Sequence, residues 1–295
     1  MRVFVTGATG FVGTAVVREL LGAGHQVLGM SRSEAGAAAL KDAGAEVHRG
    51  DLEHPDTLKE GASQADAVLH LAFNHDFSKF AQNSDVERRA IDALGDALAG
   101  TKKLLLVTSG TGMASAEAGQ PGTEDDAPVG PGASPRTPEQ PAQAVAQRGV
   151  RVGIVRLPQV HDPRKAGLVS FMTATAREKG LVAYVGDGQN GWAAAHVSDV
   201  ARLYRLALEK TAGFARYHAV GEEGVRLRDI AEVLGHGLKL PVRSISPEEA
   251  SGHFGWMAHF AAMDGRASSA KTRQTLGWTP TGPGLIEDLQ TLEWV

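Results

Sequence analysis

The run Thr6-Gly7-Ala8-Thr9-Gly10-Phe11-Val12-Gly13 sets three glycines three residues apart, directly behind the short apolar stretch Arg2–Thr6. A glycine turn between a strand and a helix suits one kind of chemistry. Gly7 permits the tight turn, Gly10 lets backbone approach a pyrophosphate, and Gly13 lets helix and strand pack closely. The helix N-terminus adds free N–H groups and the positive end of its dipole. About 20 residues on, the chain reads Met30-Ser31-Arg32-Ser33. A carboxylate at that place would bind a ribose 2′-hydroxyl, and none stands there. Arg32 can pair with a 2′-phosphate through its planar fork, with hydrogen bonds from Ser31 or Ser33, or it can be a solvated surface residue. The expected cofactor is NADP(H), ahead of NAD(H).

Elements that would hold such a site follow from the hydrophobic pattern. Strands are expected at Arg2–Thr6, Gln26–Met30, Glu46–His48, Ala67–Ala72 and Lys103–Thr108, with Arg151–Leu157 closing the series. Helices are expected at Phe11–Leu21, at Glu34–Ala43 and around Val86–Leu98. Alternation of this kind predicts an α/β fold, a Rossmann-type doubly wound parallel sheet. Residues 119–141 hold six of the 13 prolines and predict an exposed loop beside the sheet's carboxyl edge, with Glu124-Asp125-Asp126 a solvated face. Beyond 157, helices are expected at Lys165–Lys179, Val197–Lys210, Leu227–Leu238 and through Pro247–Val295, with a strand at Ala215–Ala219. They read as a smaller, mostly helical C-terminal cap. The expected division is 1–160 for dinucleotide binding, with 193–220 packing back onto it, and 161–295 as a substrate cap.

Other motifs extend the glycine signal: Gly50-Asp51-Leu52, His70-Leu71-Ala72, Val107-Thr108-Ser109, Arg156-Leu157-Pro158-Gln159-Val160 and His196-Val197-Ser198-Asp199-Val200-Ala201. Together with Gly7-x-x-Gly10-x-x-Gly13 they resemble the extended and atypical short-chain dehydrogenase/reductases, the epimerase/dehydratase-like group, over residues 1 to about 220. The resemblance implies cofactor contacts from Gly7, Thr9, Gly10, Phe11, Val12 and Gly13 at the first turn, and from Asp51 and Leu52 at the adenine. It implies further contacts from Leu71, Ala72, Phe73, Thr108, Leu157 and Pro158.

The resemblance also implies a Tyr, with a Lys four residues later, as the proton donor. The three tyrosines, Tyr184, Tyr204 and Tyr217, are followed at that distance by Gly188, Leu208 and Gly221. The aligned stretch Ser134-Pro135-Arg136-Thr137-Pro138-Glu139-Gln140-Pro141 puts Arg136 and Gln140 at the two positions. Arginine is a poor proton shuttle, and glutamine has no charge to lower a neighbour's pKa. Ser109 remains, either to orient a substrate carbonyl or to cap local backbone. A replacement acid would be His75, in Phe73-Asn74-His75-Asp76, unless Asn74 or Asp76 caps the next helix and His75 is solvated. Tyr184 would act from the cap side, unless it only packs. His161-Asp162-Pro163 lacks a metal-spaced partner and reads as a turn, so no metal is expected. The stripe His253, Phe254, Trp256, His259, Phe260 is core or the wall of an apolar pocket, and Trp192 is similarly open.

Composition bounds the rest. Zero cysteine excludes disulfides, thiolate metal sites and Cys nucleophiles; a net charge of −4 gives no basic footprint for nucleic acid. No apolar run has the length of a membrane span, and the start reaches a turn too soon for a signal peptide. A cytoplasmic protein with a small-molecule substrate is expected, as monomer or homodimer. Its expected activity is oxidoreduction at a carbonyl-like group of a small or medium apolar substrate. The alternative is an NADP-binding sensor without turnover.

Overall fold

The computed structural model describes residues 1–114, 119–129, 134 and 136–292. Pro135, named above, and the last three residues of the stretch Pro247–Val295 lie outside the described residues. The strands are β1 (Arg2–Thr6), β2 (Gln26–Ser31), β3 (Glu46–Arg49), β4 (Ala67–His70), β5 (Leu104–Gly110), β6 (Arg151–Leu157) and β7 (Gln159–Asp162). They continue with β8 (Lys165–Ala166), β9 (Val182–Val185), β10 (Gly191–His196), β11 (Ala215–His218), β12 (Glu222–Arg226) and β13 (Val242–Ile245). The helices are α1 (Phe11–Gly22), α2 (Glu34–Asp42), α3 (Pro55–Ser63), α4 (Phe80–Leu98), α5 (Glu139–Gln147) and α6 (Gly167–Lys179). Then come α7 (Val197–Lys210), α8 (Leu227–Leu238), α9 (Pro247–Phe254), α10 (Ala258–Ala262), α11 (Ala270–Leu276) and α12 (Leu285–Thr291).

Seven parallel strands form the central sheet in the order β11-β6-β5-β4-β1-β2-β3. Side chains alternate across a strand, so each strand feeds two cores. Leu104 and Leu106 of β5 join Val3, Val5 and Leu69 under α1 and α7. Leu105 and Val107 join Phe4 and Val68 under α3, α4 and α5. The sheet is therefore doubly wound, as its sequence pattern predicts. The same alternation carries Thr108 to the α7 side and Ser109 to the α4/α5 side.

Four expectations are corrected. The series does not close at β6, because β11 pairs beside it as a seventh parallel strand. The helix Pro55–Ser63 was not anticipated; it is opened by Pro55 and buries Leu58 and Ala62. The C-terminal part also carries strands: β12-β10-β7-β8 and β13-β9 form two small sheets. Residues 247–292 are broken into α9 to α12 rather than one helical run, and α6 starts after the two-residue strand β8.

The proline-rich stretch is tied down where it is described. Ala114 bridges Pro128, and Gly122 bridges Ala267. Glu124 is buried, accepting hydrogen bonds from Thr272 N at 2.7 Å and Thr272 Oγ1 at 2.6 Å. Asp125 pairs with Lys271. The acidic run is thus a fastening to α11 and not a solvated face. A buried carboxylate needs such donors, and the start of α11 supplies them.

Candidate active site

Two of the three fingerprint glycines are demanded by the protein's own packing. A Cβ on Gly13 would lie 2.0 Å from Gly7 O, and one on Gly7, at φ +69°, would lie 2.8 Å from Ala72 N. Gly10 is different: its Cβ would meet only Gly7 O at 3.2 Å, on an exposed edge with Thr9. No side chain caps α1, whose N-cap is Gly10. The turn is therefore an open backbone cradle, as a pyrophosphate requires, and the residues present fit a dinucleotide.

At the end of β2, the Arg32 side chain is 70 % exposed and 3.6 Å from Asp51 Oδ2. Ser33 Oγ accepts from Gly36 N as the N-cap of α2. Ser31 is buried and its Oγ donates to Ser33 O at 3.0 Å. Arg32 is thus the one of the three whose charge is presented outward, with Asp51 beside it. Leu71, Phe73, Leu157 and Pro158 are half-buried along the carboxyl edge, as is Ala72, whose N–H donates to Thr6 Oγ1 at 3.3 Å.

Thr108 turns its hydroxyl inward: Oγ1 donates to His70 O at 2.8 Å and accepts from the Tyr204 hydroxyl at 2.6 Å. Burial raises the Tyr204 pKa, so this phenol is no proton donor to the cleft. Burial, and then the Arg136 charge, lowers His70 to about 3. Ser109 is buried, and among the described residues its Oγ has no hydrogen-bond partner.

Arg136 reaches the same face of the sheet. Its Nε donates to Glu87 Oε2 at 3.0 Å and its Nη2 to Glu87 Oε1 at 2.6 Å and Thr108 O at 3.3 Å. The guanidinium carbon stands 4.4 Å from the Phe73 ring centroid. Burial raises the Glu87 carboxyl, and the forked pair with Arg136 opposes that push. Glu87 went unnoticed in the sequence, although it falls on the buried stripe of α4 with Ala90, Ile91 and Leu94. A carboxylate on an apolar stripe signals a hidden partner.

His75 lies in the loop after β4, edge-on to Phe73 with ring centroids 5.2 Å apart. Asp76 caps the following turn, accepting from Ser78 N and Oγ. His75 is exposed, yet partial desolvation of its ring lowers its pKa first, and the charges of Arg136 and Lys165 lower it further. A histidine below its usual value is neutral at pH 7, which weakens it as an acid and suits it better as an acceptor. Lys165, also missed in the sequence, stands 5.6 Å from the Phe11 ring centroid. Tyr184 packs against Gly188 in the cap. Among the described residues it shares no hydrogen bond or ion pair with Ser109, His75 or Arg136.

An aromatic chain runs outward from Phe73 through Phe80 and Phe77. Phe77 stacks on Trp256 with centroids 4.1 Å apart, and Phe171 lies 5.2 Å from Trp256. Trp256 is 46 % exposed and Phe171 40 %. The expected stripe divides: Phe254 is core, while Trp256 stands exposed against Phe77 and Phe171. Trp192 is core, its Nε1 donating to Phe260 O at 3.0 Å. His161 lies outside the expected turn; it is buried on β7, its Nδ1 2.6 Å from Asp288 Oδ2. The turn itself follows, with Asp162 accepting from Arg164 N and Lys165 N.

The chain is 44 % identical over 290 residues to an uncharacterized protein of Schizosaccharomyces pombe, with 98 % of each covered. It is 41 % identical over 298 residues to an uncharacterized protein of Saccharomyces cerevisiae, again covering 98 % of each. Among solved structures it is similar to MoeE5 in complex with UDP-glucose and NAD: TM-score 0.72, 26 % identity, covering 100 % of this chain and 98 % of that one. Residues 3–220 match the sequence model of the NAD dependent epimerase/dehydratase family. That match spans the glycine cradle, the strand ends carrying Ser109 and Leu157, and the His196–Ala201 motif, and the chain belongs to this family of nicotinamide-dinucleotide proteins.

Proposed function

We propose that the protein is an NADP(H)-dependent oxidoreductase acting on a carbonyl group of a small or medium apolar substrate. One observation carries this reading. The buried Ser109 hydroxyl, without a partner among the described residues, lies at the carboxyl edge of the same sheet whose first turn is an open backbone cradle. A buried polar group left unpaired is costly unless a ligand completes it. The cradle of residues 7–13 would hold the pyrophosphate, Arg32 the 2′-phosphate, and Asp51 and Leu52 the adenine end. When bound, the dinucleotide supplies hydride chemistry. The protein's part is to seat the substrate carbonyl on Ser109 Oγ and to exclude water with Phe73, Phe77 and Trp256.

Arg32 supports NADP(H) over NAD(H), since no carboxylate ends β2 to repel a 2′-phosphate. Arg32→Asp should reverse the preference, weakening NADPH binding at least tenfold while NADH binds as well or better. Dissociation constants for both cofactors check this, and an unchanged preference removes the basis for NADP. The loss of the Tyr and Lys, with Arg136 and Gln140 in their places, favours a second reading, an NADP-binding sensor without turnover. Oxidation of NADPH against a panel of aromatic and aliphatic ketones, aldehydes and imines separates the two. The division into a dinucleotide part at 1–160, with 193–220 packed onto it, and a cap at 161–295 belongs to the same proposal, as does a small-molecule partner.

A further inference from the structure

We propose that Arg136 is a catalytic residue: its guanidinium, positioned by Glu87, is a fixed-charge donor to the substrate oxygen beside Ser109. This rests on the carbonyl reading above and deepens it. Three observations converge. First, the guanidinium is held at the right edge, with Nη2 on the carbonyl of Thr108, the residue before Ser109. Second, its remaining donors are committed asymmetrically. Nε and Nη2 are spent on Glu87 and Thr108, while Nη1 has no hydrogen-bond partner among the described residues. Third, the position is fixed: the side chain is 14 % exposed, stacked on Phe73 and forked onto a buried carboxylate. A donor so anchored costs little reorganisation when charge develops before it.

The chemistry suits a group that never gives up its proton. Hydride brings two electrons to the carbonyl carbon, and the C=O π pair moves onto oxygen. The dinucleotide is thereby oxidised, and the oxygen takes its proton from water to complete the alcohol. Arg136 and Ser109 hold that oxygen while it is negative; neither is consumed. The local field has the matching sign, because Arg136 and Lys165 both press against protonation of His75. A positive field selects neutral or anionic carbonyl compounds and rejects cationic iminium substrates.

Benzoate, an inert carboxylate on an apolar ring, mimics such an oxygen, and benzamide is its neutral counterpart. Calorimetry on the NADP⁺-saturated protein should show benzoate bound at least tenfold more tightly than benzamide. The double variant Arg136→Met/Glu87→Met removes both charges and leaves neither buried alone. It should lose that preference to within about twofold while its NADPH affinity and Tm stay near wild type. Arg136→Lys, which keeps the charge without the fork, should lose about fivefold; if the double variant does not fold, this variant decides. Preference persisting in these variants, or absent from the wild type, overturns the proposal. Preference lost in the variants, with no carbonyl turned over by the wild type, would fell the hydride reading and leave the anion site standing. Turnover unchanged in Arg136→Lys would do the reverse.

Discussion

Ser109 is buried and, among the described residues, its hydroxyl has no partner, so its stability cost and its proposed catalytic role separate cleanly. Ser109→Ala should leave Tm unchanged or slightly raised, because no hydrogen bond is lost and a desolvated hydroxyl is removed. The same variant should lower kcat by about 100-fold, the usual effect of one lost donor to a developing oxyanion, without changing the NADPH dissociation constant. A fall in Tm of several degrees would assign Ser109 to the fold instead. At this scale the sequence was informative where chemistry depends on spacing within a few residues. Gly7, Gly10 and Gly13 announce the cradle, and Arg32 follows at the expected distance. The Arg136–Glu87 pair was hidden because its partners stand 49 residues apart. Arg136 was legible only as a displaced tyrosine, and Glu87 only as one polar residue on an apolar stripe.

The helix α7 shows how an element holds the two parts of the chain together. Its first turn carries Asp199, 2 % exposed, whose carboxylate accepts from Thr281 N at 3.0 Å and Gly282 N at 2.8 Å. Trp278 Nε1 donates to Asp199 O at 2.9 Å, and Arg202 pairs with the carboxylate at 2.6 Å. The motif His196–Ala201 therefore acts as a dock for residues 278–282. Asp199→Ala leaves two backbone N–H groups without their acceptor, and should cost about 2–4 kcal/mol. Urea unfolding measures the loss, and hydrogen exchange should place the new exposure at 279–284; exchange confined to α7 would refute the docking role. Elements were legible where pattern and length agree: β1, β6, α7 and α8 begin and end where expected. They were missed where burial comes from partners rather than pattern. The strand β12, Glu-Glu-Gly-Val-Arg, has no alternation of its own and exists because β10 pairs with it. In α3, Gly61 and the sparse apolar residues weaken any helical signal, yet a Cβ at Gly61 would strike the Phe4 ring at 2.4 Å.

Across the whole molecule, three of the four buried histidines set the response to acid. His70 sits on β4, His161 on β7 against α12, and His218 on β11 beside Arg156. Burial lowers the pKa of each, against opposing carboxylates at His161 and His218. The unfolded chain then binds more protons than the fold below pH 6.5, so stability is complete above that value and lost as pH falls. With His70 lowered to about 3, its share at pH 5 is about 2 kcal/mol, from 1.5 pH units at 1.36 kcal/mol each. Carboxylates held below their ordinary range, such as Asp162 and Asp264, add further loss only below about pH 4. Thermal unfolding at pH 7.5, 6 and 5 should show the decline beginning near 6.5; a flat profile to pH 5 would contradict it. Among the described residues no helix is long and apolar enough to cross a membrane, and no group of three or more ligating side chains converges for a metal.

In the proposed reaction, hydride moves between a dinucleotide and a carbonyl carbon. NADPH carrying deuterium at C4 tests it most directly, incubated with the protein and the ketone and aldehyde panel, with products read by mass spectrometry and NMR. The expected product is an alcohol with one deuterium on the carbinol carbon, formed faster by the wild type than by Ser109→Ala. Tight NADPH binding with no label in any product would contradict it.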